Sequence, residues 1–245
     1  MRNKIFQSDG RAFVLAVDHP LTMPSPEFAD IEGVLGAAVE GGVDAVLASY
    51  GCLRHFQDAL SEVGRILRAD CGTTTLSRPA EPLKLLYGPA DAARVGAHAL
   101  ICMGFPGSML NAGTLENVAK VATGAHAAGL LAGAEMLPYG FEKPEKVDTR
   151  NIGDMTFACR LGAEMGADFI KTEFVGGQRF REVVEACFAP VLVLGGGRTK
   201  SETELLAEIR EAMKAGASGV IMGRNIARSG DVAGLCRKIS EIIHG

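Results

Sequence analysis

Tryptophan is absent from the 245 residues, aromatic side chains make up only 6%, and prolines number ten. A chain so poor in large rings, yet 47% hydrophobic and carrying 31 glycines, favours close-packed helices on a buried sheet over an all-β sandwich. That apolar share also argues against intrinsic disorder. A basic excess is missing too. Lys and Arg total 25 against 29 Asp and Glu, a net charge of −4, which leaves no electrostatic footprint for DNA or RNA. A locally positive site for a small anion remains compatible with it. No apolar run approaches the ~20 residues that span a bilayer; Phe13–Val17 and Val191–Leu194 are far shorter. The first ten residues carry neither the apolar core nor the cleavage pattern of a secretory signal. Six cysteines (Cys52, Cys71, Cys102, Cys159, Cys187, Cys236) form no CxxC pair and have no histidine at ligand spacing. No metal site is expected, and the thiols read as reduced groups in a cytoplasmic protein.

What is present is an alternation. Short strand-like runs cover Ala12–Asp18, Ala45–Ser49, Arg65–Asp70, His98–Met103, Leu130–Leu137, Asp168–Thr172, Val191–Leu194 and Gly219–Met222. Between them apolar residues recur at helical spacing, as in Leu115, Val118, Val121 and Ala125. Leu205, Ile209 and Met213 form a second stripe, and Val232, Leu235, Ile239 and Ile242 a third. Continuous apolar strands separated by helices indicate a parallel sheet covered on its faces. A faint repeat supports this: Gly42, Gly96, Gly166 and Gly216 each stand between a helix and the second, fourth, sixth or eighth strand. Glycine there suits the left-handed residue that ends a helix. Eight such units in 245 residues match a single (β/α)8 TIM barrel occupying residues 1–245, with an open doubly wound sheet as the competitor.

In a barrel, chemistry sits at the C-terminal ends of the strands. Those ends supply Asp18 and His19-Pro20, Arg68 and Asp70, Glu135, Lys171 and two glycine loops, Gly195-Gly196-Gly197-Arg198 and Gly223-Arg224-Asn225. Lys171 follows Phe169-Ile170 and so emerges from the buried part of a strand. A buried lysine is costly to keep charged unless paired, and its free amine attacks carbonyls; pairing with Glu173 in a structural bridge is the bland alternative. Asp18 is suited to take a proton from a substrate hydroxyl or to orient Lys171, and otherwise to cap the next loop. Glu135 is placed for acid–base work, with Tyr139 a further candidate beyond Pro138. The glycines of the last two loops let a ligand approach the backbone, and a helix opening at Gly223 favours an anion. Arg198 and Arg224 add charge-assisted donors, and Arg68 is a further substrate-binding cation. Turns and helix caps alone are the competing reading of those glycines.

Taken together, Ala16-Val17-Asp18-His19-Pro20, Ala167-Asp168-Phe169-Ile170-Lys171-Thr172, Val193-Leu194-Gly195-Gly196-Gly197 and Gly223-Arg224-Asn225 resemble one family over essentially the whole chain. It is the class I, Schiff-base aldolase family that includes archaeal-type fructose-bisphosphate aldolase, deoxyribose-phosphate aldolase relatives and the autoinducer aldolase-like thiolase. The resemblance implies that Lys171 is the Schiff-base lysine and Asp18 a catalytic carboxylate. It likewise implies that Gly196, Gly197, Gly223 and Arg224 form the phosphate loops, with Arg198 where relatives often carry lysine. One departure stands out. The archaeal-type enzymes carry Tyr-Pro-Arg-Gly after strand five, the tyrosine shuttling a proton; here the stretch is Leu137-Pro138-Tyr139-Gly140.

These readings predict a cofactor-free aldolase that makes or breaks a carbon–carbon bond in a phosphorylated ketose-like molecule, with no nucleic-acid or membrane partner, and assembled as a homo-oligomer. Two competitors stay open: acyl transfer or transaldol-type chemistry on the same lysine, and a non-catalytic sugar-phosphate-binding barrel.

Overall fold

The computed structural model describes residues 4–77, 81–142, 148–177, 179–196 and 201–245. Eight parallel strands close on themselves in chain order: β1 (Ala12–Ala16), β2 (Ala45–Ala48), β3 (Gly64–Arg68), β4 (Ala99–Gly104), β5 (Leu131–Met136), β6 (Phe169–Glu173), β7 (Val191–Leu194) and β8 (Gly219–Met222), the last pairing back onto β1. The fold is therefore a (β/α)8 barrel, and the open sheet is excluded. Strand limits fall within two residues of those expected from the sequence, and β7 and β8 coincide with them.

Successive strand residues point to opposite faces, and the core divides accordingly. Inward, Ala12, Val14, Ala16, Leu47, Ile66, Ile101, Phe169, Leu192 and Ile221 fill the barrel. Outward, Phe13, Leu15, Val46, Leu67, Leu100, Ile170, Val193 and Val220 pack under the helices. The covering helices include α1 (Ile31–Glu40), α2 (Tyr50–His55), α3 (Pro89–Arg94), α4 (Asn111–Ala127), α5 (Ile152–Glu164) and α6 (Phe180–Ala186). After them come α7 (Glu202–Lys214), the single turn α8 (Arg224–Ala227) and α9 (Val232–His244). The expected stripes face inward: Val118, Val121 and Ala125 on α4, Leu205 and Ile209 on α7, and Leu235 and Ile239 on α9 are buried. Among the described residues, no helix is long and apolar enough to cross a membrane.

The glycines of the repeat are left-handed, with φ of +84° at Gly42, +58° at Gly96, +96° at Gly166 and +99° at Gly216. Two residues after three of them, a side chain accepts the main-chain N–H of the preceding strand's start: Asp44 from Phe13, His98 from Arg65 and Asp168 from Ala132. The repeat thus builds the N-terminal rim, which places His98 at the end away from the site. An element without a sequence signal is the antiparallel pair Asp70–Cys71 and Lys84–Leu85, an excursion after β3 that carries Leu83 over the barrel mouth.

Candidate active site

Two residues beyond each inward core position, the side chains change character. Ala16 is followed by Asp18, Ile66 by Arg68, Ile101 by Met103, Gly133 by Glu135, Phe169 by Lys171 and Ile221 by Gly223, and all six of these second residues line one cavity of about 130 Å³ at the C-terminal mouth. Asp18, Arg68, Glu135 and Lys171 are buried, so their charges must satisfy one another.

They do so around Arg68. Its Nε donates to Asp18 Oδ2 at 2.8 Å, one Nη donates to Glu135 Oε2, and the other reaches Asp70 Oδ1 at 3.5 Å. Lys171 Nζ lies 3.0 Å from the second oxygen of Glu135. The pairing follows from register, since Glu135 on β5 stands opposite Lys171 on β6. Thr172, facing outward and buried, donates its hydroxyl to Met136 O at 2.8 Å and fixes the two strands on either side of that pair. Burial alone would push the Asp18 carboxyl up, but the charges of Arg68 and Lys171 outweigh it and hold the group well below the usual carboxylate range. Glu135 behaves alike, its burial outweighed by Lys171 and Arg68. Asp70 differs: burial prevails over the more distant Arg68 and raises it from an ordinary 3.8 to about 6. Below about pH 6, where Asp70 is protonated, Asp18 and Glu135 balance Arg68 and Lys171 charge for charge.

On the β7–β8 side, the loops are tied together. Asn225 Nδ2 donates to Gly195 O at 3.2 Å and Arg224 Nη2 to Gly196 O at 3.4 Å. Gly223 is required sterically, because a Cβ there would lie 1.8 Å from Ala16 O. Gly196 is instead held at φ +67° with open space beside it.

The structure thus brings Asp18, Glu135, Lys171, Gly196, Gly223 and Arg224 to one cavity. Gly197 and Arg198 lie outside the described residues. Arg68 lines the cavity, but its donors are directed at carboxylates, so it organises the cluster instead of facing a ligand as a free cation. Tyr139 departs from expectation. Its φ of +61° turns the chain out of the strand, and its hydroxyl donates to Asp154 at 3.0 Å, away from the cavity that Leu137 lines. Glu173, offered as the bland partner of Lys171, instead pairs with Arg150.

Among the charged and histidine side chains lining the cavity, Asp70 and His19 had no assigned role. Asp70 was legible only as a strand end. His19 likewise stands only at a strand end in the sequence, yet it lines the cavity, stacks on Phe28 with centroids 6.0 Å apart, and sits with Nδ1 3.9 Å from Asp18 Oδ1. That buried nitrogen has no hydrogen-bond partner among the described residues. Burial pushes the imidazole below its ordinary value, against the charge of Asp18, leaving it neutral near pH 7.

The family model of the DeoC/LacD aldolases matches residues 12–229. The chain is 30% identical over 240 residues to 2-amino-3,7-dideoxy-D-threo-hept-6-ulosonate synthase of Halobacterium salinarum, covering 97% of this chain and 88% of that protein. It is 29% identical to the class 1 fructose-bisphosphate aldolase of Thermoproteus tenax, over 99% and 93% of the two chains. Among solved structures, an archaeal fructose-1,6-bisphosphate aldolase with its catalytic lysine covalently bound to the carbinolamine intermediate superposes with a TM-score of 0.88 at 26% identity, over 98% of this chain and 97% of that one.

Proposed function

The chain belongs to the DeoC/LacD family of aldolases, and we propose that it cleaves or forms a carbon–carbon bond in a phosphorylated ketose-like substrate through a Schiff base on Lys171. It is a carbon–carbon lyase of the class I aldolase type; the residue roles and the substrate are the proposal. The observation that carries it is the buried amine of Lys171, 3.0 Å from a carboxylate inside the barrel mouth. The relative trapped as a carbinolamine on its catalytic lysine supports the same chemistry.

In the cleavage direction, Lys171 Nζ gives up a proton to Glu135 and adds to the substrate ketone, forming a carbinolamine. Loss of water gives an iminium. Asp18 then takes the proton of the hydroxyl β to the iminium carbon. The carbon–carbon bond breaks, its electron pair moves into the iminium as an enamine, and the aldehyde departs. Protonation of the enamine carbon and addition of water return the ketone and the free amine. Glu135 and Asp18 do the proton work that a tyrosine after β5 performs in archaeal-type relatives, since Leu137 holds that position. Gly196, Gly223 and Arg224 hold the phosphate, whose binding aligns the ketone with Nζ.

Incubation with dihydroxyacetone phosphate and borohydride, followed by peptide mass analysis, tests the reading. We expect a reduced adduct on Lys171 that is lost in Lys171→Met. Full activity of Lys171→Met, or no adduct across a panel of phosphorylated ketones, would overturn it.

A further inference from the structure

The cavity has two chemically different walls. In an eight-strand barrel closed in chain order, β4 and β5 stand opposite β8 and β1. The β7–β8 side offers Gly196, Gly223 and Arg224, and among the described residues lining the cavity Arg224 is the cation without a carboxylate partner. Opposite it, the wall is apolar. Leu83 and Leu137 are buried there and cluster with Phe105 and Met103, an apolar surface that continues to Leu194 at the end of β7. Phe141 extends this wall at the mouth, 62% exposed with its ring edge-on to Phe105 at 5.1 Å. The same two-residue steps along β3, β5 and β6 also bring the carboxylates Asp70, Glu135 and Glu173 into the cavity lining. Neither neighbouring guanidinium is available, because Arg68 is held by its carboxylates and Arg150 by Glu173 and the carbonyl of Pro138.

From this division we infer that the substrate carries phosphate at one end only, and that the aldehyde fragment released or captured is uncharged and apolar. The inference rests on the Schiff-base reading above. Lys171 lies on β6, between β5 and β7, and on the Schiff-base reading the ketone half joined to Nζ carries the phosphate held by the β7–β8 loops. The chain of carbons beyond the scissile bond then crosses the mouth to Leu83, Leu137 and Phe141. A second phosphate placed there would meet carboxylates and hydrocarbon, with no free cation among the described residues that line this side of the cavity. An alkyl or aryl aldehyde would bury its carbons against the same wall. Leu137 and Phe141 are therefore specificity-determining residues for the aldehyde.

The test uses dihydroxyacetone phosphate as the fixed donor, butanal and glyceraldehyde 3-phosphate as competing acceptors, and borohydride adduct formation on Lys171 as the donor control. We expect butanal to exceed the phosphorylated aldehyde in kcat/KM by about tenfold or more. Leu137→Arg, and the exposed and structurally milder Phe141→Lys, should each move that ratio toward glyceraldehyde 3-phosphate. An adduct combined with equal or greater use of glyceraldehyde 3-phosphate by the unmodified protein overturns this inference and leaves the Schiff-base reading standing. No adduct overturns both. A ratio that neither variant moves removes Leu137 and Phe141 from the role.

Discussion

Replacing Arg68 with methionine attacks the centre of the charge cluster. The guanidinium is 2% exposed, and its nitrogens serve Asp18, Asp70 and Glu135. Methionine retains an unbranched side chain but removes every donor, leaving Asp18 and Glu135 buried with Lys171 as their one close cation. Breaking a buried ion pair costs about 3–5 kcal/mol. For a chain of this length each kcal/mol corresponds to about 2–4 °C, so Tm should fall by about 6–20 °C. The fall should also depend on pH. In the unmodified protein, Asp18 and Glu135 are held below their ordinary values. Their contribution to stability is present above the unfolded values near pH ~4 and is lost as pH drops through the lowered ones. Without Arg68, burial is the largest influence left and pushes both carboxyls above their unfolded values. Their contribution is then complete at low pH and lost as pH rises. The difference in Tm between the two proteins should therefore widen from pH 5 to pH 8, with Arg68→Lys, which keeps the charge without the fork, between them. Thermal melts followed by circular dichroism across that range provide the measurement. A fall of less than about 2 °C at pH 8, or a difference that stays constant with pH, refutes the cluster as drawn.

Asp70→Asn should act in the opposite direction. Burial raises Asp70 from 3.8 to about 6, so its favourable contribution is complete below pH ~4 and is lost as pH rises through about 6. The variant should gain up to about 3 kcal/mol at pH 8 and little at pH 4; urea melts that show equal effects at both values contradict this. Gly223→Ala drives a Cβ to 1.8 Å from Ala16 O and should cost about 3 kcal/mol. Gly196→Ala, held at φ +67° beside open space, should cost only about 1 kcal/mol, and the reverse order in urea melts would count against the loop geometry. His19→Phe keeps a ring stacked on Phe28 and removes the nitrogen near Asp18. Turnover should fall by about a hundredfold if that nitrogen meets substrate, and unchanged kcat with unchanged KM removes His19 from the site.

The barrel was legible because its signal is redundant. Continuous apolar strands, helical stripes and the left-handed glycines before β2, β4, β6 and β8 each point to the same architecture. A fifth left-handed glycine, Gly129 at φ +69° before β5, follows the same logic but not the even-strand pattern, and so escaped it. The pair Asp70–Cys71 and Lys84–Leu85 was not legible. Two residues per strand are too few for any periodicity, and their pairing depends on where the intervening chain returns.

Parity along each strand explains which site residues could be read and which could not. The interior row that runs Ala12, Val14, Ala16 on β1 reaches Asp18 in one further step, and the same step takes Ile66 to Arg68 and Phe169 to Lys171. A second step reaches Asp70, Leu137 and Glu173, which also line the cavity. Reading the strands only as apolar runs finds Lys171 and Glu135, because a charge inside such a run is conspicuous. It gives no reason to prefer Leu137 to Tyr139, which share the parity of Glu135. The difference arises where the strand stops. β5 ends at Met136, Leu137 is still carried over the mouth, and at Tyr139 the backbone turns to positive φ and sends the phenol to Asp154. A hydroxyl in that segment therefore serves the scaffold, while a hydrocarbon lines the cavity beyond Glu135. On the proposed mechanism the proton transfers then fall to Glu135 and Asp18, and the wall built by Leu137 selects what the aldehyde carries.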